Sequence, residues 1–205
     1  MRRLVVVGAG GFGRETLDVV AALGGFTLLG VLDDAPSPTN LERLQRRGIA
    51  HLGSVDDWLA DGDDAEYVIA IGQPALRRTL VGRFGDRTAA TLVHPSAGIG
   101  SVAAIGRGGI VCAGVQVSTN VQLGTHVQLN PNTTIGHDAV LHDFVSINPA
   151  ATISGECVIA SGALVGAGAV VLQGLTVGPD AVVGAAACVV RDVPAATTVK
   201  GVPAR

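Results

Sequence analysis

Large rings are nearly absent from this chain: among 205 residues there are one tryptophan, one tyrosine and four phenylalanines, and beyond residue 92 the sole aromatic is Phe144. A second half without rings must build its core from small and β-branched aliphatics. Charge is scarce as well. Charged residues make up 15% and the net charge is −3, which leaves no basic face for nucleic acid or an anionic membrane. The three cysteines, Cys112, Cys157 and Cys188, have neither C-x-x-C spacing nor an even count, so they read as reduced packing residues. No stretch reaches the roughly 20 apolar residues that span a bilayer. The opening "MRRLVVVGAGGFGRE" has a basic start, but its apolar run breaks at Gly8 and Arg14 follows, too soon for a signal-peptide core. A cytoplasmic protein without nucleic-acid or membrane partners is the expectation.

What the chain does have is aliphatic residues and glycine, arranged in two patterns. Up to about residue 92, strand-like stretches at 3–8, 27–32, 67–72 and 90–93 alternate with helical patterns near 13–23, 38–47 and 74–84. The alternation predicts a small parallel α/β sheet. Thr39 or Asn40 is the expected N-cap of the second helix. Gly8, Gly10 and Gly13 match G-x-G-x-x-G after the apolar run Leu4 to Val7 and before the periodic stretch Leu17 to Leu23, with Asp33 where a ribose-binding acid belongs. The unit is about half a full dinucleotide domain, and no separate substrate domain follows. Both points weigh against a dehydrogenase.

From Val93 to Pro194 the chain runs as seventeen uninterrupted hexads, and every one begins with Val, Ile or Leu. The fifth position is mostly Ala or Val, and the second is Gly seven times, with Asn at 130 and 148. An aliphatic knob, a small inward residue and a corner residue tolerant of unusual dihedrals make one short strand and one turn. Three such units close a triangular coil of eighteen residues, so the region predicts between five and six coils of a parallel β-helix, with residues eighteen apart stacked about 4.8 Å up the axis.

Histidine is the side chain best suited to move a proton near neutral pH. Among five histidines, His51 lies in the first domain and His94 in the junction "HPSA", where a structural role fits better. His126 and His142 fall at surface or corner positions. His137 stands third in the hexad "IGHDAV" and is followed by Asp138, which can hold the imidazole if the two share a corner. Eighteen residues on is Gly155, a residue without a side chain directly above the imidazole. A γ-type carbonic anhydrase would need a third zinc ligand two coils before His137, where Ser101 stands, so no metal is expected. A non-catalytic reading, in which the helix is only an assembly scaffold for a nucleotide-binding domain, leaves the stacking of His137 under Gly155 without a use.

The chain resembles the hexapeptide-repeat acyltransferases, specifically the family of sialic acid O-acetyltransferases and nucleotide-amino-sugar N-acetyltransferases. The resemblance rests on "VVVGAGGFGRE", "VLDD", "VIAIGQPALRR", "HPSA", "TIGHDAVLHDFVSINPAATISG" and "VKGVPAR", and spans the whole chain. It implies a Rossmann-like nucleotide-sugar-binding domain at 1–92, a left-handed β-helix at 93–194 and a tail at 195–205 near the CoA site. It also implies acetyl-CoA as donor, a homotrimer, and active sites between subunits. By the same resemblance His137 is the general base with Asp138 beside it, and Gly155 donates to the thioester carbonyl. Ser146 replaces a histidine that relatives use near the pantetheine arm. Ala167 and Ala185 offer backbone atoms to CoA, or simply pack. Gly10, Gly11, Phe12, Asp33, Asp34 and Gly72 face a nucleotide-sugar acceptor, with Phe12 where relatives often carry histidine. Asn130 either contacts the acceptor or forms a ladder with Asn148. The acceptor atom is expected to be the nitrogen of an amino sugar, with O-acetylation of sialic acid or a related sugar as the alternative.

Overall fold

The computed structural model describes residues 1–205. Its first part is a three-stranded parallel sheet in the order β2–β1–β3, formed by β1 (Arg2–Val7), β2 (Phe26–Leu32) and β3 (Glu66–Ile69). The central strand β1 is buried from Leu4 to Val7 because both of its faces are covered. Helix α1 (Gly11–Leu23) starts on Gly10 and stops at Gly24, whose φ of 64° is the left-handed conformation that closes a helix. α2 (Pro38–Gln45) and α4 (Pro74–Phe84) each place proline in the first turn. The cap of α2 is Ser37, which accepts from the Asn40 N–H, and not Thr39 or Asn40: Pro38 supplies N1, so the capping oxygen has to come from the residue before it. A short helix, α3 (Val55–Ala60), has too few residues to show a period, although Ser54 caps it as the sequence "SVDD" allows.

The expected fourth strand at 90–93 does not join this sheet. Only Ala89 bridges to Tyr67, and Leu92–Val93 pairs instead with Ile110–Val111 of the second part. From there to Val199 the chain is a β-solenoid of about six turns whose two-residue strands stack into three parallel faces of seven, six and five strands. In the coil from 128 to 146, Gln128–Leu129 lies on the first face, Thr134–Ile135 on the second and Val140–Leu141 on the third, before Ser146–Ile147 returns to the first. The register step is eighteen residues, and the first residue of each hexad ends its strand. Ile135, Leu141, Ile147 and Ile153 are fully buried, as are the fifth-position residues Ala139, Val145, Ala151 and Cys157. Each larger aliphatic contributes ~1.5–3 kcal/mol by burial, so a column of them holds the coils together without rings.

The unusual dihedrals sit at the fourth position of the hexad, not the second. Asp138, Phe144 and Glu156 have φ of 59°, 62° and 60°. Gly136, a second-position glycine, answers a different need: a β-carbon there would come within 2.5 Å of the Gly155 nitrogen on the next coil. Beyond Val183 the repeat shortens to steps of sixteen, so that Val182–Val183 pairs with Thr198–Val199. The last residues fold back over this end, where the Ala204 N–H donates to the Cys188 carbonyl at 2.7 Å.

The first part lies on the first face of the solenoid. Ile110, Gln128 and Ser146, which point outward from that face, are fully buried beneath it. On the other two faces the corresponding Gln116, Thr134, Gln122 and Thr176 are exposed. The edge between the second and third faces is therefore the one turned away from the α/β sheet. No helix is long and apolar enough to cross a membrane.

Candidate active site

His137 and Asp138 form the turn at that far edge, between Thr134–Ile135 and Val140–Leu141. Adjacent residues on a strand point to opposite sides, but the left-handed Asp138 folds its carboxylate back, and its Oδ2 lies 2.7 Å from His137 Nδ1. The other oxygen accepts from Asn120 Nδ2 at 2.6 Å. These two bonds, that of Asn120 first, hold the Asp138 carboxyl below the usual carboxylate range. The imidazole thus carries its proton on Nδ1, facing the carboxylate, and leaves Nε2 free. Asn120 was not singled out in the sequence; the available signal was its place one coil before Asp138 in the same column.

Gly155 lies against the other side of the ring. A β-carbon on it would come within 2.6 Å of His137 Cε1 and Nε2. Gly155 is buried beneath the imidazole, and its N–H donates to no group of the chain. The N–H groups of other third-position residues, Ser161, Ala167 and Ala185, are likewise unpaired; what sets Gly155 apart is the imidazole beside it. His137 and Asp138 themselves are about half exposed, with side-chain values of 49% and 45%, so the edge is open to solutes.

Other residues lie elsewhere. Ala167 and Ala185 are exposed and stacked on the edge between the first and second faces, a full face away from His137. Asn130, on that same edge, is nearly buried and donates to the Asn148 side chain at 3.3 Å and to the Ile147 carbonyl at 3.0 Å, so it forms the ladder. Ser146 does not line a groove. It is fully buried under the α/β part, donating to the Gly72 carbonyl and accepting from Arg77 Nη2, because its strand belongs to the covered face. His126 is a corner residue as expected but not a surface one: it is 2% exposed, with its ring stacked on Phe144 at 5.5 Å, and its Nδ1 has no partner. Burial, helped by Arg77 and Arg107, pushes its pKa down to about 4. His94 accepts from the Ser96 N–H in a local turn, and His142 is exposed on the third edge. No cluster of three His, Cys, Asp or Glu side chains is placed to hold a metal ion.

At the glycine-rich turn, Gly10 caps α1, Gly11 is exposed and Phe12 packs partly against the core. Asp33 binds the turn directly, with Oδ2 accepting from the Ala9 N–H at 2.8 Å and Oδ1 from Ala35 at 3.0 Å. Asp34 accepts from Val55 N–H and pairs with Arg83; that ion pair chiefly holds its carboxyl below the ordinary value. Both residues line a cleft of about 200 Å³ whose walls include Gly8, Val55, Ile71 and Leu80. Gly72 lies just past this wall, with its carbonyl turned to Ser146.

The chain is similar to known proteins over its whole length. The family model described as the PglD N-terminal domain matches residues 3–84. A search of curated proteins finds no match. Among solved structures, the acetyltransferase domain of PglB from Neisseria gonorrhoeae is 30% identical and superimposes with a TM-score of 0.87, over 100% of this chain and 99% of that one. A histidine-to-asparagine variant of perosamine N-acetyltransferase from Caulobacter crescentus, in complex with CoA and GDP-perosamine, is 28% identical with a TM-score of 0.91, covering 100% of this chain and 96% of its own. WeeI from Acinetobacter baumannii is 29% identical, with a TM-score of 0.88 and coverage of 100% and 99%. With a sheet, a cleft, a hexad solenoid and end-to-end similarity all in agreement, the chain belongs to the nucleotide-amino-sugar N-acetyltransferases with a hexapeptide-repeat β-helix.

Proposed function

We propose that the protein transfers the acetyl group of acetyl-CoA to the amino nitrogen of a nucleotide-linked amino sugar, with His137 as general base. The observation that carries the reading is the imidazole held by Asp138 on one side and lying against Gly155, whose N–H is unpaired, on the other. Nε2 takes a proton as the amine nitrogen attacks the thioester carbon. The carbonyl oxygen becomes an oxyanion, to which the Gly155 N–H can donate. Collapse of the tetrahedral adduct breaks the carbon–sulfur bond, and the imidazolium returns the proton to the leaving thiolate. A base so placed is typically worth ~10²–10⁴-fold in rate. Asp138, itself held by Asn120, orients the ring and fixes its tautomer.

In this reading residues 1–92 bind the acceptor, with the nucleotide in the cleft at Asp33 and Asp34 and its phosphates near the α1 N-terminus at Gly10 and Gly11. Residues 93–194 supply the base and the CoA groove, with the tail 195–205 close to the groove. The reading also requires a second copy of the chain. The acceptor cleft belongs to the part lying on the first face, Ala167 and Ala185 are on the first edge of the prism, and His137 is on the edge turned away from both. An acceptor in one chain's cleft therefore meets the His137 of a neighbour, which a closed homotrimer provides.

Nitrogen is favoured over oxygen by the likeness to an enzyme named for N-acetylation of perosamine and bound to GDP-perosamine. The test is incubation with acetyl-CoA and a panel of UDP-, dTDP- and GDP-linked 4-amino sugars, read by mass spectrometry. An acetamido product is expected. Acetylation of sialic acid hydroxyls with every amino sugar untouched would overturn the reading.

A further inference from the structure

Arg77, on α4, is fully buried and has no carboxylate partner. Its guanidinium donates to six groups. Nε reaches the His126 carbonyl at 3.0 Å, Nη1 the Ile71 carbonyl at 2.6 Å and Gln128 Oε1 at 3.0 Å, and Nη2 the Phe144 and Val145 carbonyls and Ser146 Oγ. A buried charge without a counter-ion survives only if every donor is satisfied, and where stability alone matters an apolar side chain of similar volume serves as well. What the guanidinium adds is a rigid planar fork that fixes direction. Here five of its six acceptors belong to the solenoid and one to the wall of the acceptor cleft.

The neighbouring bonds run along the same seam. Gln128 Nε2 donates to the Ile69 carbonyl and Ser146 Oγ to the Gly72 carbonyl, each at 2.8 Å. The carbonyls of 69, 71 and 72, at and just beyond the end of the edge strand β3, are thus all tied to the solenoid. Gln128 and Ser146 begin the two first-face strands that bracket the coil carrying His137. The seam therefore joins the cleft wall to both ends of that coil.

We propose that Arg77 is a positioning residue: it locks the acceptor cleft in one orientation on the solenoid, so that a tethered amine is delivered to the neighbouring His137. The proposal rests on the acceptor assignment of the preceding section. The nucleotide is held in the cleft while the amine reacts on a neighbouring chain, so a small rotation at the seam displaces the amine while leaving both local sites intact. Misplacement of about 1 Å can cost on the order of 10²-fold.

The experiment compares two acceptors in the intact protein: a nucleotide-linked amino sugar, which uses the cleft, and the same free amino sugar at high concentration, which lacks the nucleotide. Arg77→Met is expected to lower kcat with the first by about 10²-fold, with the acceptor and CoA KM values nearly unchanged and the rate with the second preserved. Arg77→Lys, which keeps some of the donors, should recover part of the loss. Equal falls with both acceptors, or no fall with either, would overturn the proposal. Should Arg77→Met fail to fold, Gln128→Leu decides by the same pair of rates, with a loss of roughly tenfold confined to the nucleotide-linked acceptor expected and parallel behaviour overturning it. If the wild-type protein acetylates only the free sugar, the acceptor assignment falls and takes this proposal with it.

Discussion

Gly155 stands one coil above His137, so close that a methyl group on its α-carbon would lie 2.6 Å from the imidazole Nε2. The absence of that methyl is what lets the ring lie against Gly155. Gly155→Ala should push the half-exposed imidazole off its position and lower kcat, on the order of 10²-fold, while circular dichroism stays unchanged because the ring is not part of the core. Wild-type kcat in this variant would show that the ring's placement over Gly155 has no role.

His137→Ala removes the base and should lower kcat by about 10²-fold or more, leaving CoA affinity intact. Asp138→Asn should do less damage. Asp138 holds the ring through Nδ1, so the loss should fall on kcat with both KM values nearly unchanged. Near-normal turnover of His137→Ala down to pH 6 would dismiss the base assignment.

Because cleft and base lie on opposite sides of the prism, two defective chains should repair each other. Light scattering should give three times the 20.6 kDa chain mass. Mixed trimers of His137→Ala with Ala35→Trp, which blocks the mouth of the cleft, should regain activity that neither parent has. A mixture as inactive as its parents would place cleft and base in one chain.

Asp34→Ala should raise the acceptor KM with little effect on the acetyl-CoA KM, since the cleft binds ground and transition states alike. The side chain also accepts from Val55 N–H at the start of α3, so thermal unfolding should report a loss of about 1 kcal/mol. A raised acetyl-CoA KM would put the cleft on the wrong substrate.

His126 sets a pH dependence of stability. In the unfolded chain it takes a proton near pH 6.5, in the folded protein only near pH 4. Between these values the unfolded state holds more protons, so stability falls as pH drops from about 6.5 to about 4, by about 3 kcal/mol at full extent, and is untouched by this group above that window. His126→Phe removes the titration, and the same left-handed corner already accepts Phe144 eighteen residues on. The variant's Tm should fall less steeply over that range; identical slopes would clear His126 of the effect.

The solenoid was legible in the sequence because its contacts are periodic. Seventeen aliphatic residues in phase set the strands, and one addition of eighteen put Gly155 over His137. The same arithmetic could have found Asn120 beneath Asp138. The meaning of the second-position glycines was misread, since a close approach between coils and a left-handed turn both ask for glycine, and only coordinates tell them apart. The fourth strand at 90–93 was likewise ambiguous, a short aliphatic run that either sheet could have taken.

The sequence by itself determined the two grammars, the triangular coil and the pairing of His137 with Asp138 and Gly155, all set by local pattern or a fixed period. Only the tertiary structure decided which face the α/β part covers. That choice buried Ser146 and His126, turned His137 away from its own chain's cleft and made Arg77 the centre of the seam. Its bonds to the solenoid join residues 49 to 69 positions apart, and contacts between two differently built parts follow no period that a single chain of letters can display.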